Sequence, residues 1–134
     1  MHVPAKADYA VRAAMELARH REPVKCRDVA HIQDIPLKFL VNILSDLRRA
    51  RLVRSQRGAD GGYWLVRAAD ELTVAEVMEA VMGPLTTVAG EAPDALDYPP
   101  GNAGLTMLWM TLDSRTRSVL SGVTIADLIG GVPS

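Results

Sequence analysis

Residues 37–67 read LKFLVNILSDLRRARLVRSQRGADGGYWLVR, and the fold follows from how that stretch divides. In its first half Leu40, Ile43, Leu44 and Leu47 recur at i, i+3, i+4 and i+7, the spacing that puts four side chains on one face of an α-helix. Rotation by 100° per residue sends Lys38, Asn42, Ser45 and Arg49 to the opposite face, with Val41 and Arg48 on its flanks. That face is polar and basic, and Asp46 lies to one side of it. In the second half LVRSQ and YWLVR read as short strands around RGADGG, a turn with three glycines. A glycine-rich turn also serves as a phosphate cradle, but that motif needs GxxxxGK[ST] between a strand and a helix. Neither the Lys-Ser/Thr pair nor a following helix is present. The glycines are therefore expected to supply positive φ for a tight antiparallel turn and to let it approach a duplex backbone.

The flanking segments extend this reading. AKADYAVRAAMELARH spells a helix with Val11, Ala14, Met15 and Ala18 as its apolar stripe, ended by Pro23. KCRDVAHI predicts a short second helix with Val29 and Ile32 facing inward. QDIP is the turn after it, and Pro36 suits the first position of the next helix. Beyond the hairpin, LTVAEVMEAVMG predicts a fourth helix, with Thr73 and Glu76 as a capping box and Gly83 as its C-cap. Residues 84–103 form a loop rich in Pro, Gly and small residues. GLTMLWMTLDSRTRSVLSG is then a long helix, and TIADLIGG a short closing one capped by Thr124. The expected fold is mainly α with a small two-stranded β wing: a winged helix-turn-helix with a long C-terminal dimerisation helix. Its units are a DNA-binding domain at 1–83, a loop at 84–101 and the dimerisation helix with its closing helix at 102–134.

Charge is distributed unevenly. The net charge is −1, but residues 1–67 carry 13 Lys/Arg against 7 Asp/Glu, and residues 68–134 carry 2 against 9. The first half is thus suited to a polyanion and the second is not. No apolar run is long enough for a membrane span, and the N-terminus has no hydrophobic signal core. The single cysteine, Cys26, excludes an internal disulfide and a thiolate metal cage. A cytoplasmic location is expected, with no metal and no cofactor. His2, His20 and His31 have no ligand spacing, and no catalytic triad or carboxylate pair can be placed, so an enzyme is not expected.

The helix-turn-helix order assigns the 36–50 helix to the DNA major groove. Lys38 and Arg49 can reach phosphates or guanine, Asn42 can pair with adenine, Ser45 can do either, and Val41 can touch a thymine methyl. Arg54 and Arg57 flank the wing turn, and Arg57 stands where it could enter a minor groove, whose negative potential favours arginine. Arg48 and Tyr63 complete the candidate DNA-binding set, Tyr63 also anchoring the returning strand. On the long helix Leu105, Leu108, Trp109, Leu112 and Val119, widened by Met107 and Met110, leave an apolar surface with little chain to cover it. A partner subunit is the natural cover. Two other readings compete: a redox-responsive regulator working through Cys26, and a winged-helix protein-interaction module that no longer binds DNA.

The segments AKADYAVRAAMEL, IPLKFLVNILSDLRRARLVRSQRGADGGYWLVR and LTVAEVMEAVMGPL resemble the Rrf-type transcriptional regulators, the group that includes IscR, NsrR and CymR. The resemblance covers residues 3–88 closely and 102–130 in outline. It implies a homodimer on a palindrome, base contacts from Lys38, Val41 and Asn42, and a minor-groove role for Arg57. Cluster-binding members carry three cysteines in the loop before the long helix. The corresponding loop here, 84–103, has none, so a cluster held by three thiolates is not expected. Asp8 resembles a position that supplies an acidic cluster ligand in some members, a role not carried over without thiolates. The expected function is that of a sequence-specific regulator, a repressor, working on double-stranded DNA without an iron–sulfur cluster, under a protein or small-molecule effector.

Overall fold

The computed structural model of the chain describes residues 1–130; the closing glycine at 131 and the three residues after it lie outside them. The order is α1 (Ala5–Ala18), α2 (Cys26–Gln33), α3 (Leu37–Arg49), β1 (Val53–Gln56), β2 (Gly62–Leu65), α4 (Val74–Met82), a short 3₁₀ turn (Pro93–Ala95), α5 (Ala103–Ser121) and α6 (Ile125–Gly130). The expected winged helix-turn-helix with a long C-terminal helix is the fold observed.

The core is built around α1, which packs on α3, α4 and α6. Its buried stripe is Ala7, Ala10, Ala14 and Leu17, with Ala13 beside it. The stripe expected from the sequence is rotated from this one: Val11, Met15 and Ala18 are only half-buried. Alanines win the inner face because they let three helices approach the α1 backbone closely. On α3 all four expected residues, Leu40, Ile43, Leu44 and Leu47, are buried. Each contributes about 1.5–3 kcal/mol by leaving water.

The helix-turn-helix corner has its own chemistry. Asp34 caps α2 in the left-handed conformation (φ 54°, ψ 51°), and the Ile35 amide donates to the Ala30 carbonyl at 2.9 Å. Ile35 is thereby driven into the core, at 3% exposure. Two expectations change here. Ile32 is 54% exposed rather than inward, because the helix ends one residue after it and Ile35 takes the apolar position. Pro36 sits at the N-cap of α3, with ψ 127°, not inside the helix.

The wing is an antiparallel pair with Val53 opposite Leu65, Arg54 opposite Trp64, Ser55 opposite Tyr63 and Gln56 opposite Gly62. Val24, before α2, adds a third backbone to it: its amide donates to the Tyr63 carbonyl at 2.9 Å and its carbonyl accepts from the Tyr63 amide at 2.8 Å. Tyr63 packs on the core, so it seats the returning strand as expected. The C-terminal segment comes back to the same core. The Val74 amide donates to the Val123 carbonyl and the Ile125 amide to the Leu72 carbonyl, each at 2.9 Å. Ile125 is fully buried. Thr124 and Asp127 form a reciprocal capping box at the start of α6, at 3.1 and 2.9 Å. At α4 only half of the expected box forms: Thr73 accepts from the Glu76 amide, while the Glu76 carboxylate turns to Arg67.

Candidate nucleic-acid interface

The face of α3 turned away from the core carries Lys38, Val41, Asn42, Arg48 and Arg49 exposed and Ser45 half-buried, on a helix whose other side is locked by four buried aliphatics. Lys38 lies 5.1 Å from the centroid of the Phe39 ring, which is also exposed. Asp46 comes closer to this face than its position suggests: it accepts from Arg49 at 3.1 Å. Arg48 donates to Ser55 Oγ at 3.0 Å and so joins the end of α3 to β1. Both arginines also lie in the last turn, where the helix dipole favours cations.

The wing beside this helix is held by crowding. Gly62 has φ 143°, and a Cβ there would lie 2.6–2.9 Å from the Val24 backbone; at Gly61 a Cβ would fall 2.2 Å from the Gln56 carbonyl oxygen. Both glycines are required by the protein's own backbone, Gly61 within the turn itself and Gly62 against Val24, a long-range contact that the local pattern does not announce. Lys25 donates to the Gly58 carbonyl at 3.3 Å and pins the turn to the start of α2. Arg57 and Arg54 are exposed on either side. The DNA-facing candidates are therefore gathered on one helix and one hairpin, with Tyr63 behind them as a support.

Three features escaped sequence reasoning. The first is Arg51, whose backbone is in the left-handed region at φ 64°. The second is Glu16, the only buried charged residue among those described, at 4% exposure. It accepts from Gln33 Nε2 at 2.8 Å and Arg19 at 3.1 Å, with His20 Nε2 at 2.8 Å. Burial pushes its carboxyl up, but the hydrogen bonds from His20 and Gln33 and the Arg19 charge outweigh this and hold it below its ordinary value. Arg12 bonds the Gln33 carbonyl and Asp8, completing a polar clamp between α1 and the end of α2. The third is the division of α5. Thr106, Trp109, Asp113, Thr116 and Leu120 form its half-buried stripe, while Leu105, Leu108, Leu112 and Val119 stand exposed on the adjacent one. Trp109 thus differs from the other four candidate dimer contacts: its indole donates to Tyr98 Oη at 3.0 Å, against the chain's own loop. Met107 is 69% exposed on the far side.

The loop before α5 carries neither cysteine nor histidine. Ala89 and Gly90, at φ 51° and 81°, turn a small bridge between Val88 and Glu91, and Pro93 is buried. Among the described residues no three His, Cys, Asp or Glu side chains cluster to hold a metal ion. Cys26 is half-buried at the start of α2, and burial pushes its thiol pKa up, away from the reactive thiolate. No described helix is long and apolar enough to cross a membrane.

The comparisons with known proteins agree with one another. The profile of the Rrf2 family, described as iron-dependent transcriptional regulators, matches residues 3–131. A helix-turn-helix transcriptional regulator of Mycobacterium tuberculosis is 44% identical over 133 residues, 98% of this chain and 83% of that protein. IscR of Erwinia tasmaniensis is 34% identical over 132 residues, covering 96% and 79%. Among solved structures, CymR, the global cysteine regulator of B. subtilis, superposes with a TM-score of 0.81 at 26% identity, covering 97% of each chain. IscR of T. potens superposes with a TM-score of 0.77 at 28% identity, covering 97% and 87%. The iron in the family description finds no matching donor set among the described residues of this chain: its only cysteine is on α2, and the loop offers only scattered carboxylates.

Proposed function

The chain belongs to the Rrf2 family of DNA-binding transcriptional regulators, and from that premise we propose that it is a cytoplasmic repressor that binds a palindromic operator as a homodimer. One observation carries this reading: the outward face of α3 is basic, its inner face is immobilised in the core, and a wing bearing Arg57 stands next to it. In this arrangement α3 enters the major groove, with Lys38, Val41 and Asn42 at the base edges and Ser45, Arg48 and Arg49 at edges or phosphates. Arg54 and Arg57 reach backbone and minor groove, and Tyr63 keeps the wing in register with them.

Dimerisation is supported by the exposed stripe of Leu105, Leu108, Leu112 and Val119. A second copy is its natural cover, since its own domain leaves this stripe exposed and buries no residue of the helix fully. The length and tilt of the paired helices would set the half-site spacing. An effector, protein or small molecule, would act by changing the angle between the two winged helices; an iron–sulfur cluster has no part in this mechanism. The reading is tested by selecting genomic fragments bound by the purified protein. Recovery of a palindrome bound in a salt-sensitive manner is expected, and an absence of salt-sensitive binding to any duplex overturns it. The effector step is tested by operator affinity with and without cell extract fractions; no change with any fraction means constitutive binding.

A further inference from the structure

We infer that the cleft between the end of α3 and the wing is a DNA-phosphate site, in which Arg48, Arg51 and Arg54 hold a phosphodiester of the duplex outside the bases that α3 reads. The inference rests on the DNA-binding reading above and adds to it a site, and in Arg51 a residue, that the helix pattern does not reach. The cleft encloses about 610 Å³ and is lined by the three arginines with Val53, Ser55, Trp64 and Val66. None of these residues is acidic, and none of the three guanidiniums forms an ion pair among the described residues. Three cations without an acidic partner around one opening make a positive site suited to an anion.

The backbone at Arg51 is the second observation. The end of α3 is a Schellman turn: the Leu52 amide donates to the Leu47 carbonyl and the Arg51 amide to the Arg48 carbonyl, each at 2.9 Å. The residue at the left-handed position of that turn is usually glycine, because a Cβ is disfavoured there. Here it is an arginine at φ 64°. A bulky side chain where the backbone favours none is an outlier of the kind that clusters at functional positions. Arg48 is already oriented by Ser55 at 3.0 Å, and Arg54 stands opposite Trp64 in the register. The cleft is continuous with the basic face of α3 through Arg48, so a duplex engaged by α3 passes its opening; this favours a backbone phosphate over a free phosphorylated ligand.

The test compares the full chain with Arg51→Gly/Arg54→Gln on a selected operator, by affinity across a salt series. The glycine suits the turn, so the variant should fold, as checked by circular dichroism. Neutralising one phosphate contact should lower the slope of log affinity against log salt by about 0.9 per subunit bound, with base preference unchanged. Arg51→Lys/Arg54→Lys should restore most of the slope, since a phosphate accepts a point charge. An unchanged slope overturns the inference, and so does a changed base preference, which would make these arginines base readers. Calorimetric titration with pyrophosphate covers the other source. Saturable binding by the parent chain, lost in the variant whose DNA slope is unaltered, would make the cleft a free-ligand site. If the parent chain binds no duplex in a salt-sensitive manner, the regulator reading falls and the cleft reading falls with it.

Discussion

Gly62→Ala is expected to cost about 3–5 kcal/mol of folding stability, about 2 kcal/mol of it from one contact made far away in sequence and the rest from the backbone dihedral. The added Cβ would meet the Val24 carbonyl carbon at 2.6 Å, its oxygen at 2.7 Å and its nitrogen at 2.9 Å. All three are backbone atoms, so no rotamer change relieves the collision. Separating the strands would weaken both hydrogen bonds between Val24 and Tyr63, at about 1 kcal/mol each. The φ of 143° adds strain of about 1–3 kcal/mol for a residue with a Cβ. Gly58→Ala is the internal control. It too has a positive φ, 110°, but nothing lies within 4 Å of its would-be Cβ. Gly58→Ala should therefore lose only the dihedral contribution, about 1–2 kcal/mol. Urea unfolding followed by circular dichroism at one protein concentration reads both. With a slope of about 2 kcal/mol/M, Gly62→Ala should move the midpoint down by about 2 M. If the two variants lie within about 0.5 kcal/mol of each other, the contact of the wing with Val24 does not hold the wing in place.

Further perturbations address the interface directly. Arg57→Ala should weaken operator binding by about 1–3 kcal/mol; unchanged affinity in a gel shift would place the wing off the DNA. Asn42→Ala should change the preferred sequence recovered by selection, whereas a uniform loss across sequences would assign Asn42 to a phosphate. Leu108→Asp, on the exposed stripe of α5, should convert the dimer to monomer in sedimentation and lower operator affinity at least tenfold; a dimer that persists would move the interface elsewhere. The Glu16 carboxyl is held below its ordinary value in the folded protein. Its stabilising contribution is therefore fully present above the ordinary glutamate range and lost as pH falls through the lowered folded value. Glu16→Gln should flatten the acid side of the stability–pH curve measured by urea midpoint, and parallel curves would remove that role.

Legibility in the sequence tracked how local the deciding physics is. The α3 face was readable because four large aliphatics at helical spacing leave only one orientation. The same method misplaced the α1 stripe, where Ala7, Ala10 and Ala14 carry the core. An alanine scores weakly as an apolar residue, and only the close approach of α3, α4 and α6 makes it the right one. The wing turn was readable from its glycines, but the reason for Gly62 was not, since the atoms it avoids belong to Val24, far away in sequence. Arg51 was invisible for a similar reason. Its meaning depends on which residue ends α3, and a helix boundary is the least certain part of any pattern. Trp109 grouped with the apolar set of α5 by composition, yet its N–H needs a partner, and Tyr98 supplies one on the loop side.

The placement of the two tryptophans gives the molecule an optical consequence. Trp64 lies on the wing opposite Arg54, and Trp109 lies on α5 bonded to Tyr98; the chain has no third. Each working limb therefore carries one intrinsic fluorophore in a distinct setting. One indole reports from the hairpin proposed to lie beside the duplex, the other from the helix proposed to meet a partner. Trp64→Phe and Trp109→Phe would each leave a single emitter. With that pair of variants, contact with DNA and pairing of subunits become separately visible in the same unlabelled protein, and the order of the two events becomes a matter of reading two traces.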